Sequence, residues 1–194
     1  MTVQSPNTFP NTRTTKRLPI APIAIISVVA LLIIGLGIAL FEVNQPPLDH
    51  GAAPDIALVT FDNQPFKLSA NQGKIVLLNF WASWCNTCPG EAPILNKLWN
   101  DYRAKGVVFM GIGHLDNRAD ALAFMARYEM QYPTAPDDGN HVSDAYRVNQ
   151  VPETYLIDQH GALAFVLHGP VTADFDTELR TRLDKLLASQ TNQG

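Results

Sequence analysis

Polar residues without periodicity fill Met1 to Arg17, after which the chain runs apolar from Ile20 to Phe41, broken only by Pro22, Ser27, Gly35 and Gly37. A helix of that length reaches across a hydrocarbon core of about 30 Å. A cleavable leader would need an apolar region of only about 7 to 15 residues and a small-residue cleavage site. The pattern therefore predicts a disordered tail over 1–18, a transmembrane helix over 19–41 and, from the prolines and glycine at Pro46, Pro47, Gly51 and Pro54, a linker over 42–54. Arg13, Lys16 and Arg17 lie before the span and Glu42 is the first charge after it. The positive-inside rule then puts the N-terminus in the cytoplasm and the folded part, 55–190, outside it.

Within 55–190 the periodicity changes repeatedly. Ile56 to Phe61 and Pro65 to Leu68, around Asp62-Asn63-Gln64, predict a short hairpin. Lys74 to Trp81 and Gly106 to Gly113 are continuous apolar runs of strand length, the pattern of strands covered on both faces. Between them a helix is expected from about Thr87 to Ala104, and after them an amphipathic helix from Asn117 to Glu129 with Ala121, Leu122, Met125 and Tyr128 toward the core. Pro133 to Asn140 reads as loop and Val142 to Arg147 as one or two helical turns. Glu153–Ile157 and Ala162–Leu167 flank Asp158-Gln-His-Gly161, a hairpin signal. A last helix is expected over Asp174 to Ala188, with Phe175, Leu179, Leu183, Leu186 and Leu187 on one side. Strands alternating with helices, then a hairpin and a helix, make an α/β domain.

Composition narrows the function classes. Three of the 14 basic residues lie in the first 41, so the remainder carries 11 against 18 acidic groups, which argues against a nucleic-acid surface. The 194 residues contain only two cysteines, Cys85 and Cys88. In an oxidising compartment so short a loop gains little from a staple, because the stabilisation grows with the length of the loop closed. Reactivity is the better account. Covalent haem attachment needs a histidine after the second cysteine, where Pro89 stands. A zinc site would need two further ligands, and the histidines at 50, 114, 141, 160 and 168 are scattered without ligand spacing, so no metal is expected.

A strand ending at Trp81, a short turn and a helix beginning around the cysteines would set Cys85 at a helix N-terminus, where unsatisfied N–H groups and the dipole favour negative charge. Cys85 is then the attacking thiolate, and Cys88, one turn further in, resolves the mixed disulfide. Pro89 and Gly90 are weak interior helix formers, so the helix start is expected to be irregular. Phe80 and Trp81 read as core, and Trp84 as a cover for Cys85.

Leu78-Asn-Phe-Trp-Ala-Ser-Trp-Cys-Asn-Thr-Cys88, with Pro93 five residues on and Val151-Pro152-Glu-Thr-Tyr-Leu-Ile-Asp158, resembles the thioredoxin superfamily. Within it the chain is similar to the membrane-tethered proteins of the ResA, TlpA and CcmG (DsbE) type, over roughly 52 to 189. The resemblance implies a thioredoxin fold, a central mixed sheet flanked by helices, with an N-terminal hairpin and an inserted helix at 117–129. It implies a cis-proline at Pro152 that, with Trp84, Val151 and Glu153, meets the partner, and an active-site glutamate at Glu91. Asn79 stands where thioredoxin has a buried aspartate, which makes Glu91 the substitute for proton transfer. The implied activity is that of an extracytoplasmic thiol-disulfide oxidoreductase, a reductase of protein disulfides such as those of apocytochrome c during cytochrome c maturation. Its electrons would come from a transmembrane thiol donor, and no cofactor is expected beyond the Cys85–Cys88 pair. Two rivals stay open on the sequence alone, a general disulfide oxidase or exchanger and a non-enzymatic binding or metallochaperone module on the same fold.

Overall fold

In the computed structural model, which describes residues 20–43 and 46–191, the chain divides between residues 45 and 46 into two compact units. The first holds one helix, α1 (Ile20–Val43). Side chains of α1 are described at 26 and 28–38, and no helix among the described residues is long and apolar enough to cross a membrane. Much of the span expected over 19–41, and all of the tail expected over 1–18, lies outside those described side chains.

The second unit contains β1 (Ala57–Val59), β2 (Pro65–Lys67), β3 (Val76–Trp81), α2 (Cys88–Tyr102), β4 (Val108–Gly113), α3 (Arg118–Arg127), β5 (Thr134–Pro136), α4 (His141–Ala145), β6 (Glu153–Ile157), β7 (Leu163–His168) and α5 (Ala173–Thr191). β1 and β2 form the expected antiparallel hairpin. The other strands make one mixed sheet in the order β5-β4-β3-β6-β7. β3, β4 and β5 run parallel, while β6 and β7 run antiparallel to their neighbours.

Side-chain alternation along the strands sorts the core into two layers. From β3, Val76, Leu78 and Phe80 join Met110, Ile112, Tyr155 and Ile157 on one face, covered by Ile56, Leu68 and, from α4 and its end, Val142, Tyr146 and Val148. Leu77 points the other way with Phe109 and Leu156, against Leu95, Leu98 and Tyr102 of α2 and Leu179 and Leu183 of α5. All six residues of β3 are buried, which is why that run shows no alternation of polarity in the sequence.

Three expectations need correction. The stretch Pro133 to Asn140 is not all loop, because Thr134–Pro136 pairs with Gly111–Gly113 as β5. Three residues ending in a proline leave too little periodicity to be seen. On α3 it is Phe124 that is buried and Leu122 that is exposed; Phe124 is drawn in by stacking on Trp81, with ring centroids 4.9 Å apart. The linker 42–54 is shorter than expected at both ends: α1 runs to Val43, and Gly51–Ala53 pair with Gly161–Leu163 through Leu163 N–H to Gly51 O (2.8 Å) and Ala53 N–H to Gly161 O (2.9 Å). α2 begins, as expected, around the cysteines, at Cys88 with Thr87 as its N-cap.

Candidate active site

β3 delivers the chain to the carboxyl end of the parallel strands, the usual place for sites in such sheets. Ala82 to Cys85 then reverse it in a turn closed by Cys85 N–H to Ala82 O (3.2 Å). Cys85 and Cys88 are joined by a disulfide with Cα atoms 5.5 Å apart. The helix starts where the sequence put it, with Thr87 as N-cap and Pro89, whose missing N–H costs nothing there, in its first turn. At the N-terminus of α2 the N–H of Cys88 donates to Cys85 Sγ (3.1 Å). Cys85 Sγ also lies 3.7 Å from Thr87 Oγ1 and from Val151 O.

Behind Cys88 the helix carries a buried stripe, Cys88, Glu91, Ala92, Leu95 and Leu98, at the spacing of one helical face. Glu91 is the anomaly in it. It is only 2% exposed, and two segments converge on its carboxyl group. Asn79 Nδ2 of β3 donates to Oε1 (3.1 Å), and the N–H of Val171, between β7 and α5, donates to Oε2 (3.0 Å). Asn79 Nδ2 also reaches Thr154 Oγ1 (3.2 Å), and Asn79 Oδ1 accepts from the Tyr132 hydroxyl (3.4 Å). Burial pushes the Glu91 carboxyl up to about 7, against the pull of the bonds from Val171 and Asn79. Burial likewise pushes the Tyr132 hydroxyl well above its usual value, with the Glu91 charge adding to it. A carboxyl group that titrates near neutrality, one helical turn from Cys88, is able to hold or take a proton there.

On the other side of the pair, β6 begins at Glu153, opposite Phe80 of β3. The preceding Val151–Pro152 bond is cis, and it is the Val151 carbonyl that approaches Cys85. Glu153 is not a surface strand residue but is buried. Its carboxylate accepts from the Tyr155 hydroxyl (2.7 Å) and lies 3.2 Å from His168 Nδ1 on β7. Burial first, and then the bond to Glu153, raises the Tyr155 hydroxyl.

Trp84 is 53% exposed and lines one groove with Ser83, Cys85, Asn86 and Pro89; Asp120, Phe124 and Arg127 of α3 form the opposite wall. The structure thus brings together all the expected site residues, Trp84, Cys85, Cys88, Glu91, Val151, Pro152 and Glu153, at one end of the sheet. It adds residues that the sequence did not single out. His114, just after β4, is buried with Nδ1 lacking a hydrogen-bond partner among the described residues, its ring 6.2 Å from that of Trp84. Burial holds its imidazole below the usual histidine value, although Asp137, Asp144 and Glu153 pull the other way. Asp116 accepts two hydrogen bonds from Ser83. A lone histidine and an aspartate beyond a strand carry no pattern of their own, so only contact reveals them.

Comparison with known proteins agrees with this geometry. Residues 50–166 match the AhpC/TSA family. The thiol-disulfide oxidoreductase ResA of Oceanobacillus iheyensis is 32% identical over 127 residues, 63% of this chain and 66% of that protein. ResA of Geobacillus kaustophilus is 32% identical over 122 residues, 63% and 70% of the two chains. The chain spans about two thirds of the length of these relatives. Among solved structures, a Chlorobium tepidum protein described as a thiol:disulfide interchange protein DsbE superposes with a TM-score of 0.66 at 28% identity, over 73% of this chain and 99% of that one. With a redox-competent cysteine pair at the head of α2 and these relatives over the same residues, the chain belongs to the AhpC/TSA family and, within it, to the thioredoxin-like thiol-disulfide oxidoreductases of the ResA and DsbE type.

Proposed function

We propose that the protein is a reductase held at the outer side of the cell membrane by α1, passing electrons from a transmembrane thiol donor to disulfides of protein partners, apocytochrome c among them. The observation that carries the direction of flow is the buried Glu91. Strong oxidants owe their potential to a stabilised thiolate in the reduced form. Burial of Cys88 and an acidic neighbour one turn away both work against that stabilisation. The anchor is supported by the uncharged run 20–41 and by α1 itself, whose described large apolar side chains, from Ile26 to Ile38, are all exposed, as on a helix apolar all round.

In the cycle, the Cys85 thiolate, stabilised by the Cys88 N–H, attacks one sulfur of the partner disulfide. A mixed disulfide forms and the partner's other sulfur leaves as a thiolate that takes up a proton. Cys88 gives its proton to the Glu91 carboxylate and attacks Cys85 Sγ. The partner's second thiolate departs, Cys85–Cys88 closes, and two electrons have moved to the partner. A thiol pair of the donor restores the dithiol by the reverse exchange. Trp84 and Val151 meet the entering disulfide, with Pro152 and Glu153 buried behind them.

Equilibration with glutathione or dithiothreitol tests the direction. A reduction potential nearer to about −270 mV, that of a thioredoxin, supports the reductase; one near about −120 mV, that of a strong oxidant, sinks it. Cys88→Ala in cells should accumulate mixed disulfides on Cys85, and the trapped proteins identify the partners. If nothing is trapped, the non-enzymatic rival gains.

A further inference from the structure

The turn that carries Cys85 is held by a loop from elsewhere in the chain. In the turn closed by Cys85 N–H to Ala82 O, the two central residues are Ser83 and Trp84. Both are bound to the loop that follows β4. Asp116 Oδ2 accepts the Ser83 N–H (2.5 Å) and Oδ1 accepts the Ser83 hydroxyl (2.7 Å), across 33 residues of sequence. Leu115 O accepts Trp84 Nε1–H (3.1 Å). Leu115 is in turn fixed by its own N–H, which donates to Asn140 Oδ1 (3.1 Å). Leu115 has a positive φ of 46°, a conformation a leucine adopts only when the surroundings impose it.

We propose that Asp116 is a positioning residue for Cys85, a role that rests on Cys85 being the attacking thiol. By gripping both donors of Ser83, the aspartate fixes the plane of the turn. It thereby fixes the place of Cys85 Sγ against the Cys88 N–H and of the Trp84 ring beside it. The role acts through geometry, and its sign separates it from a charge effect. Removing a nearby negative charge alone would make Cys85 ionise more easily. Loosening the turn withdraws Sγ from the Cys88 N–H and makes it ionise less easily.

The test is the pH profile of Cys85 alkylation in the reduced full-length protein, alongside kcat/KM for reduction of a protein disulfide and Trp84 fluorescence. In the unaltered protein, alkylation at Cys85 ahead of Cys88 establishes the attacking thiol independently of Asp116; without that preference it is the assignment of Cys85 that fails, not the role of Asp116. Asp116→Ala is expected to move the alkylation midpoint upward, to lower kcat/KM at least about tenfold, since misplacing reacting atoms by about 1 Å can cost on the order of 100-fold, and to change the Trp84 emission. Asp116→Asn should rescue all three, its Oδ1 accepting the Ser83 N–H and its Nδ2 donating to Ser83 Oγ. Where the alanine variant does not fold, Ser83→Ala, which removes only the bond to Oδ1, should move the midpoint the same way by less. A downward shift in both Asp116 variants, or no shift in either, overturns the proposal.

Discussion

Glu91 answers two opposing demands, since its place on the buried face of α2 suits an apolar side chain while its carboxyl group titrates near neutrality. Its value of about 7 stands above the ordinary 4.5, so the unfolded chain gives up its proton first as pH rises. The stability of the oxidised protein is then complete below about 4.5 and is lost as pH rises through about 7, by on the order of 3 kcal/mol. Glu91→Gln should flatten this dependence, although it replaces one acceptor oxygen by an NH2 that must face the Val171 N–H or Asn79 Nδ2. Urea unfolding at about pH 5 and pH 8, on either side of that midpoint, checks it: the unaltered protein should lose stability between the two and the variant should not. Equal losses in both would mean that Glu91 is not the group responsible. The sequence marked this residue through its resemblance and its position three after Cys88, and the core-facing stripe explains why an acid there is unusual. His114 and Asp116 had no such mark, because their meaning lies in what they touch.

At the scale of elements, β4 shows how a polar site is fitted into an apolar sheet. Gly111 pairs with Asn79 on one side and Thr134 on the other. A Cβ on Gly111 would lie 2.8 Å from Thr134 Oγ1 and 3.0 Å from Tyr132 Cε2. The missing side chain is thus the room in which the Tyr132 ring stands while its hydroxyl reaches Asn79. Gly111→Ala should cost about 1–3 kcal/mol by overpacking and, by displacing Tyr132, should alter the titration of Glu91. Thermal unfolding gives the first and the carboxyl signal of Glu91 by NMR gives the second; an unchanged midpoint would refute the packing account. The elements themselves were legible where periodicity was long. β3, β4, α2, α5 and the β6–β7 hairpin fall where the apolar runs put them, within a few residues. β5 was not legible, because three residues on the edge of a sheet take their conformation from the partner strand. Leu122 and Phe124 were exchanged because a helix of ten residues offers several apolar stripes, and Trp81 selects the one it stacks upon.

The whole molecule is two units joined near residue 45, each with its own expectation. A chain shortened to begin at Pro46 keeps the carbonyl that accepts from Arg147 (3.1 Å) and all of the sheet, so it should unfold cooperatively at the same temperature as the full domain and retain disulfide reductase activity in solution. The full-length chain should sediment with membranes and resist extraction by high salt, with the domain accessible to protease from outside the cytoplasm. A full-length chain found in the soluble fraction would remove the anchor from the functional proposal. By itself the sequence determined the class of the domain and the identity of its reactive pair. These follow from short-range causes, namely strand-length apolar runs, two cysteines three apart, and motifs whose spacing is set by one turn and one helix. Only the tertiary structure decided where the pair's surroundings come from. The Val151 carbonyl lies at Cys85, Asn79 and Val171 N–H at Glu91, and Asp116 at Ser83, each brought from a distant part of the chain by the order β5-β4-β3-β6-β7. Contacts across 33, 66 and 80 residues depend on strand order and register, and neither is written in the local pattern of polar and apolar residues.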